Sequence, residues 1–243
     1  MTTETPIFSS SIRNVSIFNP SSSEAANLLS KKNLLLLSEI LSDCKIPLDL
    51  WDSGRAKKVL DLLKELSAGE CVITEDTIGI LRVVKPVYLD VFFFDQKKGA
   101  SRILQEVMVI NKNEDGSLKE HSHIRELPSS LGEKRKFGEA SIAAANRALI
   151  EELSCPPGTY HPQTISETSD FLLSPSYPGL RSLYLGTRIN VSLDESVYQP
   201  NGSVNITHPC ADPKGYAYIE NRPDENKVTF FNWKDISHYQ SMI

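Results

Sequence analysis

Between Gly138 and Leu153 the chain reads GEASIAAANRALIEEL, and the stretch carries Glu139, Arg147, Glu151 and Glu152. Glutamates about one helical turn apart can present several oxygens to a single divalent cation, and such a cation neutralises phosphate charge and activates a water. The same residues also describe a plain alanine-rich helix with a charged end. Arg147 and Glu151 stand four apart, close enough to pair across one turn for about 0.3–0.5 kcal/mol if exposed. Either reading requires a helix. Ile142, Leu149 and Leu153 repeat at helical intervals, the alanines at 143, 144 and 145 favour helix and allow close packing, and Pro156, Pro157 and Gly158 stop it. Glu139 falls at the helix start, where the dipole and free backbone N–H groups favour a carboxylate.

The elements that must hold this helix change character along the chain. Residues 1–30, rich in Ser, Thr and Asn, read as a poorly ordered leader with one basic residue, Arg13. Residues 31–74 read as an accessory helical region. KKNLLLLSEILSDC predicts one helix, and Val59, Leu62, Leu63 and Leu66 predict an amphipathic second, capped by Asp52 or Ser53 and ended at Gly69. From there β-branched and aromatic residues dominate. IGILRVVKPVYLDVFFF predicts strand with Pro86 at an edge or bulge, and Phe92, Phe93 and Phe94 are expected in the sheet core. RILQEVMVIN, NEDG and SLKEHSHI form a hairpin pattern with Gly116 in the turn. Strands are expected after the central helix in TISETSDFLLS, LRSLYLGTRINVSL and KVTFFNWKDI, with a short helix to close. The polar stretch from Asp194 to Asn226 reads mostly as loop. This order implies an α+β chain with a mixed sheet in an αβα sandwich, preceded by accessory helices.

Bulk composition narrows the function classes. A formal net charge of −5 over 243 residues argues against non-specific binding to nucleic acid or anionic lipid. No stretch approaches the ~20 apolar residues of a membrane span. Cys44, Cys71, Cys155 and Cys210 are far apart without metal-ligand spacing, as expected for reduced, mostly buried thiols in an intracellular, cytoplasmic protein. Organelle targeting stays open.

The register Glu139, seven residues, Arg147, one residue, Leu149, one residue, Glu151-Glu152 resembles the Nudix box. That pattern runs Gly, five residues, Glu, seven residues, Arg-Glu, an apolar residue, any residue, Glu-Glu, any residue, Gly and an apolar residue. The resemblance implies a Nudix-like domain over residues 75–243 that hydrolyses a diphosphate-linked, nucleotide-derived small molecule with Mg²⁺ or Mn²⁺. It implies Glu152 and Glu139 as catalytic residues, Glu152, Glu139 and Glu151 as metal ligands, and Arg147 with Glu151 as a structural ion pair. It also places Tyr177, in SPSYPGLRSLY, at the substrate rim where the ring can stack on a base, beside the equal alternative of a ring buried in its turn. The departures are specific. Ala148 replaces a metal-ligand glutamate, and Glu133 replaces the leading glycine with Gly132 beside it. Help for a weakened, mononuclear site is sought in Glu133, Glu167 or Asp170. The absent carboxylate at Ala148 favours the alternative of a catalytically inactive Nudix-fold binding or assembly subunit, with the N-terminal helices as a docking face for a protein partner.

Other constellations carry less. His121 and His123 point to one face of a strand with Glu126 nearby, an arrangement read chiefly as solvated polar residues. No nucleophile elbow, phosphate-binding P-loop or dinucleotide-binding glycine motif is present in the sequence.

Overall fold

The computed structural model describes residues 23–54, 56–97, 99–113, 117–123, 129–207, 211–222 and 226–236, with side chains from residue 31 onward except 118–123. Three α-helices, α1 (Ser23–Asp43), α2 (Val59–Ser67) and α3 (Ser141–Leu153), accompany ten strands in the described chain. The strands are β1 (Cys71–Asp76), β2 (Gly79–Val84), β3 (Pro86–Asp95), β4 (Ala100–Lys112), β5 (Leu118–His123), β6 (Leu131–Lys134), β7 (Tyr160–Leu173), β8 (Arg181–Leu193), β9 (Tyr218–Arg222) and β10 (Lys227–Asp235). The turn at Gly116, Glu126, Cys210 and the closing helix expected after Ile236 lie outside the described residues.

The chain divides into two compact units. One unit gathers the described residues up to Lys85 with Lys136–Gly138 and Ser169–Leu185. Helix α1 begins at Ser23, ahead of the Lys31 expected from sequence. Helix α2 forms where the apolar spacing predicts, with Leu62 and Leu63 buried. Its start differs from expectation: neither Asp52 nor Ser53 caps it. Asp52 sits in a turn at φ 62°, and the helix opens after Lys58, whose N–H donates to the Asp61 carboxylate at 3.0 Å. Strand β1 pairs antiparallel with β2, and β2 runs parallel to the opening residues of β8, Arg82 beside Ser182. Leu37, Leu41, Trp51, Leu62, Cys71, Val84, Tyr177 and Leu180 make the core of this unit. At its tight corner Gly179 takes φ +79° with Pro47 directly against its Cα. A side chain there would need both a left-handed backbone and the space Pro47 fills.

The second unit holds Pro86–Arg135, Glu139–Thr168 and the chain from Gly186 onward. Here β3 pairs parallel with β8, while β3–β4, β4–β10, β10–β9, β3–β6 and β4–β5 pair antiparallel. The expected α+β class and mixed sheet are therefore present within this unit alone. Alternation along β3 sends Val87, Leu89, Val91 and Phe93 into the core shared with α3. That period of two corrects the expectation for the three phenylalanines. Of the three only Phe93 is buried, and Phe94 is 52% exposed because it points to the opposite face.

Strand β10 is buried on both faces. A bulge between Phe230 and Phe231 keeps Phe230 with Met108 and Tyr216 in a smaller cluster and Phe231 with the α3 core. Ser130 Oγ accepts from Val91 N at 2.8 Å and donates to Leu104 O, fixing the entry to β6 against β3 and β4. Cys71 and Cys155 are buried free thiols as expected, whereas Cys44 is exposed. Among the described residues no helix is long and apolar enough to cross a membrane.

Candidate functional site

Helix α3 starts at Ser141, two positions later than Glu139, and ends at Leu153 with Ser154 in the left-handed region at φ 55°. Its N–H donates to Ile150 and Leu149 carbonyls, and the Pro-Pro-Gly run takes the chain away. The buried face differs from the predicted stripe. Ala144, Ala145, Ala148, Leu149, Glu152 and Leu153 face the sheet, and Ile142 lies at the margin. Small alanines let the helix backbone approach β3, β6 and β9 closely, and that approach carries Glu152 down into the interior.

Two clusters of charge flank the helix. In the first, Arg147 holds Glu139 bidentately, with Nε to Oε1 and Nη2 to Oε2 both at 3.1 Å. Arg147 Nη2 also donates to the Lys134 carbonyl at 3.0 Å, and Nη1 stands 3.3 Å from Glu133 Oε1. The predicted pair with Glu151 exists, but as the loosest contact, 3.7 Å from a carboxylate that is 58% exposed. Hydrogen bonding to Glu139 is the largest influence raising the Arg147 guanidinium above its ordinary range, followed by burial acting against it. This fork ties Glu139, two residues ahead of the helix, to the helix middle, and β6 to both.

In the second cluster Glu152 is 6% exposed and Glu220 5% exposed. Period-two alternation along β9 turns Tyr218, Glu220 and Arg222 toward α3. Arg222 Nε bonds Glu220 Oε1, and its Nη2 stands 3.1 Å from Glu152 Oε1. That second contact is an ion pair without hydrogen-bond geometry, so Glu152 Oε1 accepts no hydrogen bond. One guanidinium faces two buried carboxylates. Burial first, then the Glu220 charge, pushes the Glu152 carboxyl from its ordinary 4.5 up to about 8. Arg222 opposes this and Glu133 adds to it.

The carboxylates expected to meet at a cation are dispersed. Glu139 is spent on Arg147, Glu151 faces solvent beside the same arginine, and Glu152 alone turns to β9. Among the described residues no three His, Cys, Asp or Glu side chains are grouped so as to hold a metal ion. The donor set does not fit a magnesium centre, which asks for several converging oxygens in octahedral array. Glu133 joins the Arg147 cluster, while Glu167 and Asp170 lie exposed on β7. His121 and His123 lie on β5. Tyr177 belongs to the other unit and is 0% exposed, tilted against Trp51 with the Arg82 guanidinium 5.0 Å from its ring centre. Burial first, then the Glu65 charge, keeps its phenol protonated.

The sequence reading missed Glu220 and Arg222 because it took Asp194–Asn226 mostly for loop. The signal was the alternation in YIENR, which is polar on the face that is buried and so mimics an exposed strand. Ala148, at the position of the missing glutamate, is 0% exposed in the core. Ala148→Glu is therefore expected to lower stability by about 3 kcal/mol or more, measured by urea denaturation, instead of restoring a ligand, because it buries an unpaired carboxylate in packed space.

A cavity of about 250 Å³ in the same unit is lined by Arg102, Tyr198, Pro200, Asn201, Trp233 and Asp235. Its polar lining is engaged internally. Arg102 Nε bonds Asp235 at 3.0 Å, and Trp233 exchanges hydrogen bonds with Asn201 and donates Nε1–H to Gln199 O at 2.8 Å.

No family model matches the chain. No curated protein matches it. Among solved structures, an Ap4A hydrolase from C. elegans aligns over 66% of this chain and 86% of its own, at 12% identity and a TM-score of 0.28. A Nudix hydrolase from M. smegmatis, RenU, aligns over 67% of this chain and 78% of its own, at 13% identity and a TM-score of 0.32. Scores this low leave the chemistry to be argued from the chain's own residues.

Proposed function

We propose that this chain is a Nudix-like protein in which α3 keeps the charged frame of the box without its hydrolytic centre, leaving a binding or assembly role. One observation carries the reading: two of the three remaining box acids, Glu139 and Glu152, are each held by an arginine inside the chain, while Glu151 faces solvent. Arg147 closes on Glu139 and Glu133, and Arg222 closes on Glu152 and Glu220. The position that would complete a metal-holding pair is Ala148, sealed in the core. The ligand class is a diphosphate-linked, nucleotide-derived small molecule, taken from the box resemblance. Exposed Leu35 and Leu36 on α1, 66% and 44% accessible, support a protein-docking face on the N-terminal helices.

The hydrolytic alternative keeps one observation on its side. A buried carboxyl titrating near 8 is suited to give or take a proton close to neutral pH, and Glu152 has that character. In that reading Glu152 and Glu139 are catalytic, and Mg²⁺ or Mn²⁺ supplies the charge neutralisation. A panel of ADP-ribose, dinucleoside polyphosphates and oxidised dGTP, each with Mg²⁺ or Mn²⁺, separates the two. The binding reading expects no release of phosphate or mononucleotide, together with saturable binding of at least one compound by calorimetry. Turnover that disappears in Glu152→Gln establishes the hydrolase and rejects the binding reading.

A further inference from the structure

The α3 site contains its own cation. Glu152 and Glu220 come from different elements, α3 and β9, and both are almost wholly buried. Two carboxylates cannot be taken out of water together without positive charge, protons or a metal ion beside them. The geometry supplies a guanidinium. Arg222 is carried on the same strand face as Glu220, bonds it through Nε, and reaches Glu152 with Nη2 at 3.1 Å. Thr229 is paired beside Glu220 on β10 and is 1% exposed. The surroundings of the two carboxylates are therefore buried as well as charged.

We infer that Arg222 takes the place a divalent cation holds beside a box-helix glutamate, so that this site is closed to Mg²⁺ and Mn²⁺. The inference rests on reading α3 as the functional helix and deepens it by naming what fills the cation's place. A guanidinium is planar, permanently charged and weakly hydrated, so it enters such a pocket without the dehydration that Mg²⁺ resists. Once seated, it repels a second cation at contact range and engages Glu220 Oε1 through a hydrogen bond.

Mn²⁺ titration of the full chain, followed by calorimetry and by the melting temperature, tests this. The wild-type protein is expected to show no saturable Mn²⁺ binding and no Mn²⁺-dependent melting shift. Arg222→Gln frees both carboxylates and is expected to bind Mn²⁺ at least about tenfold more tightly than wild type. That gain disappears in Arg222→Gln/Glu152→Gln, and Arg222→Lys, which keeps the charge, remains without binding. Saturable binding to the wild type that Glu152→Gln abolishes overturns the inference, and this arm needs no Arg222 variant to fold. A folded Arg222→Gln protein that binds no Mn²⁺ overturns it equally. Turnover on the substrate panel is a separate readout, so a catalytic result and a metal result can fail independently.

Discussion

Glu65→Leu is expected to destabilise the protein by about 3–5 kcal/mol, whereas the double variant Glu65→Leu/Arg82→Met should recover most of that loss. Glu65 on α2 and Arg82 on β2 are 5% and 3% exposed, and Nη2 meets Oε2 at 2.5 Å. Removing the carboxylate alone leaves a guanidinium sealed under the Tyr177 ring. Its Nε already lacks a hydrogen-bond partner, and its Nη1 reaches the Tyr184 hydroxyl at 3.5 Å. Removing both charges exchanges a pair that paid heavily for desolvation for apolar contacts of similar volume. Equilibrium urea denaturation of the two single variants and the double measures the coupling. If the double variant loses as much as the sum of the singles, the pair is not an electrostatic unit and this account is wrong.

The second large effect concerns pH. In the unfolded chain Glu152 titrates near its ordinary 4.5, and in the fold near 8. Between those values the folded protein holds a proton that the unfolded chain releases. The stabilising contribution is therefore complete below about 4.5 and is lost as the pH rises through 8. Glu220 and Arg222 face the group from β9, Glu133 from β6 and Lys227 from β10, and the two glutamates outweigh the cations in direction. Glu152→Gln removes the titration. The variant should match the wild type at pH 5 and exceed it at pH 9 by a few kcal/mol, on the order expected for a buried carboxyl shifted this far. Thermal melts at the two pH values decide it. An equal loss at both would mean that Glu152 contributes through packing and contacts that do not depend on its proton, and would reject this account.

Much of the frame was legible. Apolar periodicity located α2 and α3 because both helices bury one stripe, and β-branched density located β2, β3 and β8 because they are interior strands. Elements whose burial contradicts their polarity were not legible. Strand β9 buries Glu220 and half-buries Arg222, so its alternation carries the opposite sign to the usual strand pattern. The candidate site divided along the same line. Spacing within one helix identified Glu139, Arg147, Glu151 and Glu152 as a group, but spacing cannot say which carboxylate an arginine captures. Arg147 reached back across the helix start to Glu139 because that carboxylate is 17% exposed and already beside it, while Glu151 sits in water where a pair gains little. Of the two readings of Tyr177, a ring at the rim and a ring buried in its turn, the burial matches the second. A Tyr-Pro-Gly turn looks like a surface rim, yet here the turn is folded inward, with Trp51 Nε1–H donating to the Pro178 carbonyl at 2.9 Å.

The division of β8 between the two units bears on heredity. The unit that contains α1 and α2 is assembled from three separated stretches of chain, the last of them supplying Arg181–Leu185 at the head of a strand whose remainder serves the other unit. No uninterrupted length of gene encodes it. Recombination cannot move it between proteins as a cassette, and an expression fragment that stops at Lys85 lacks the strand on which β2 lies.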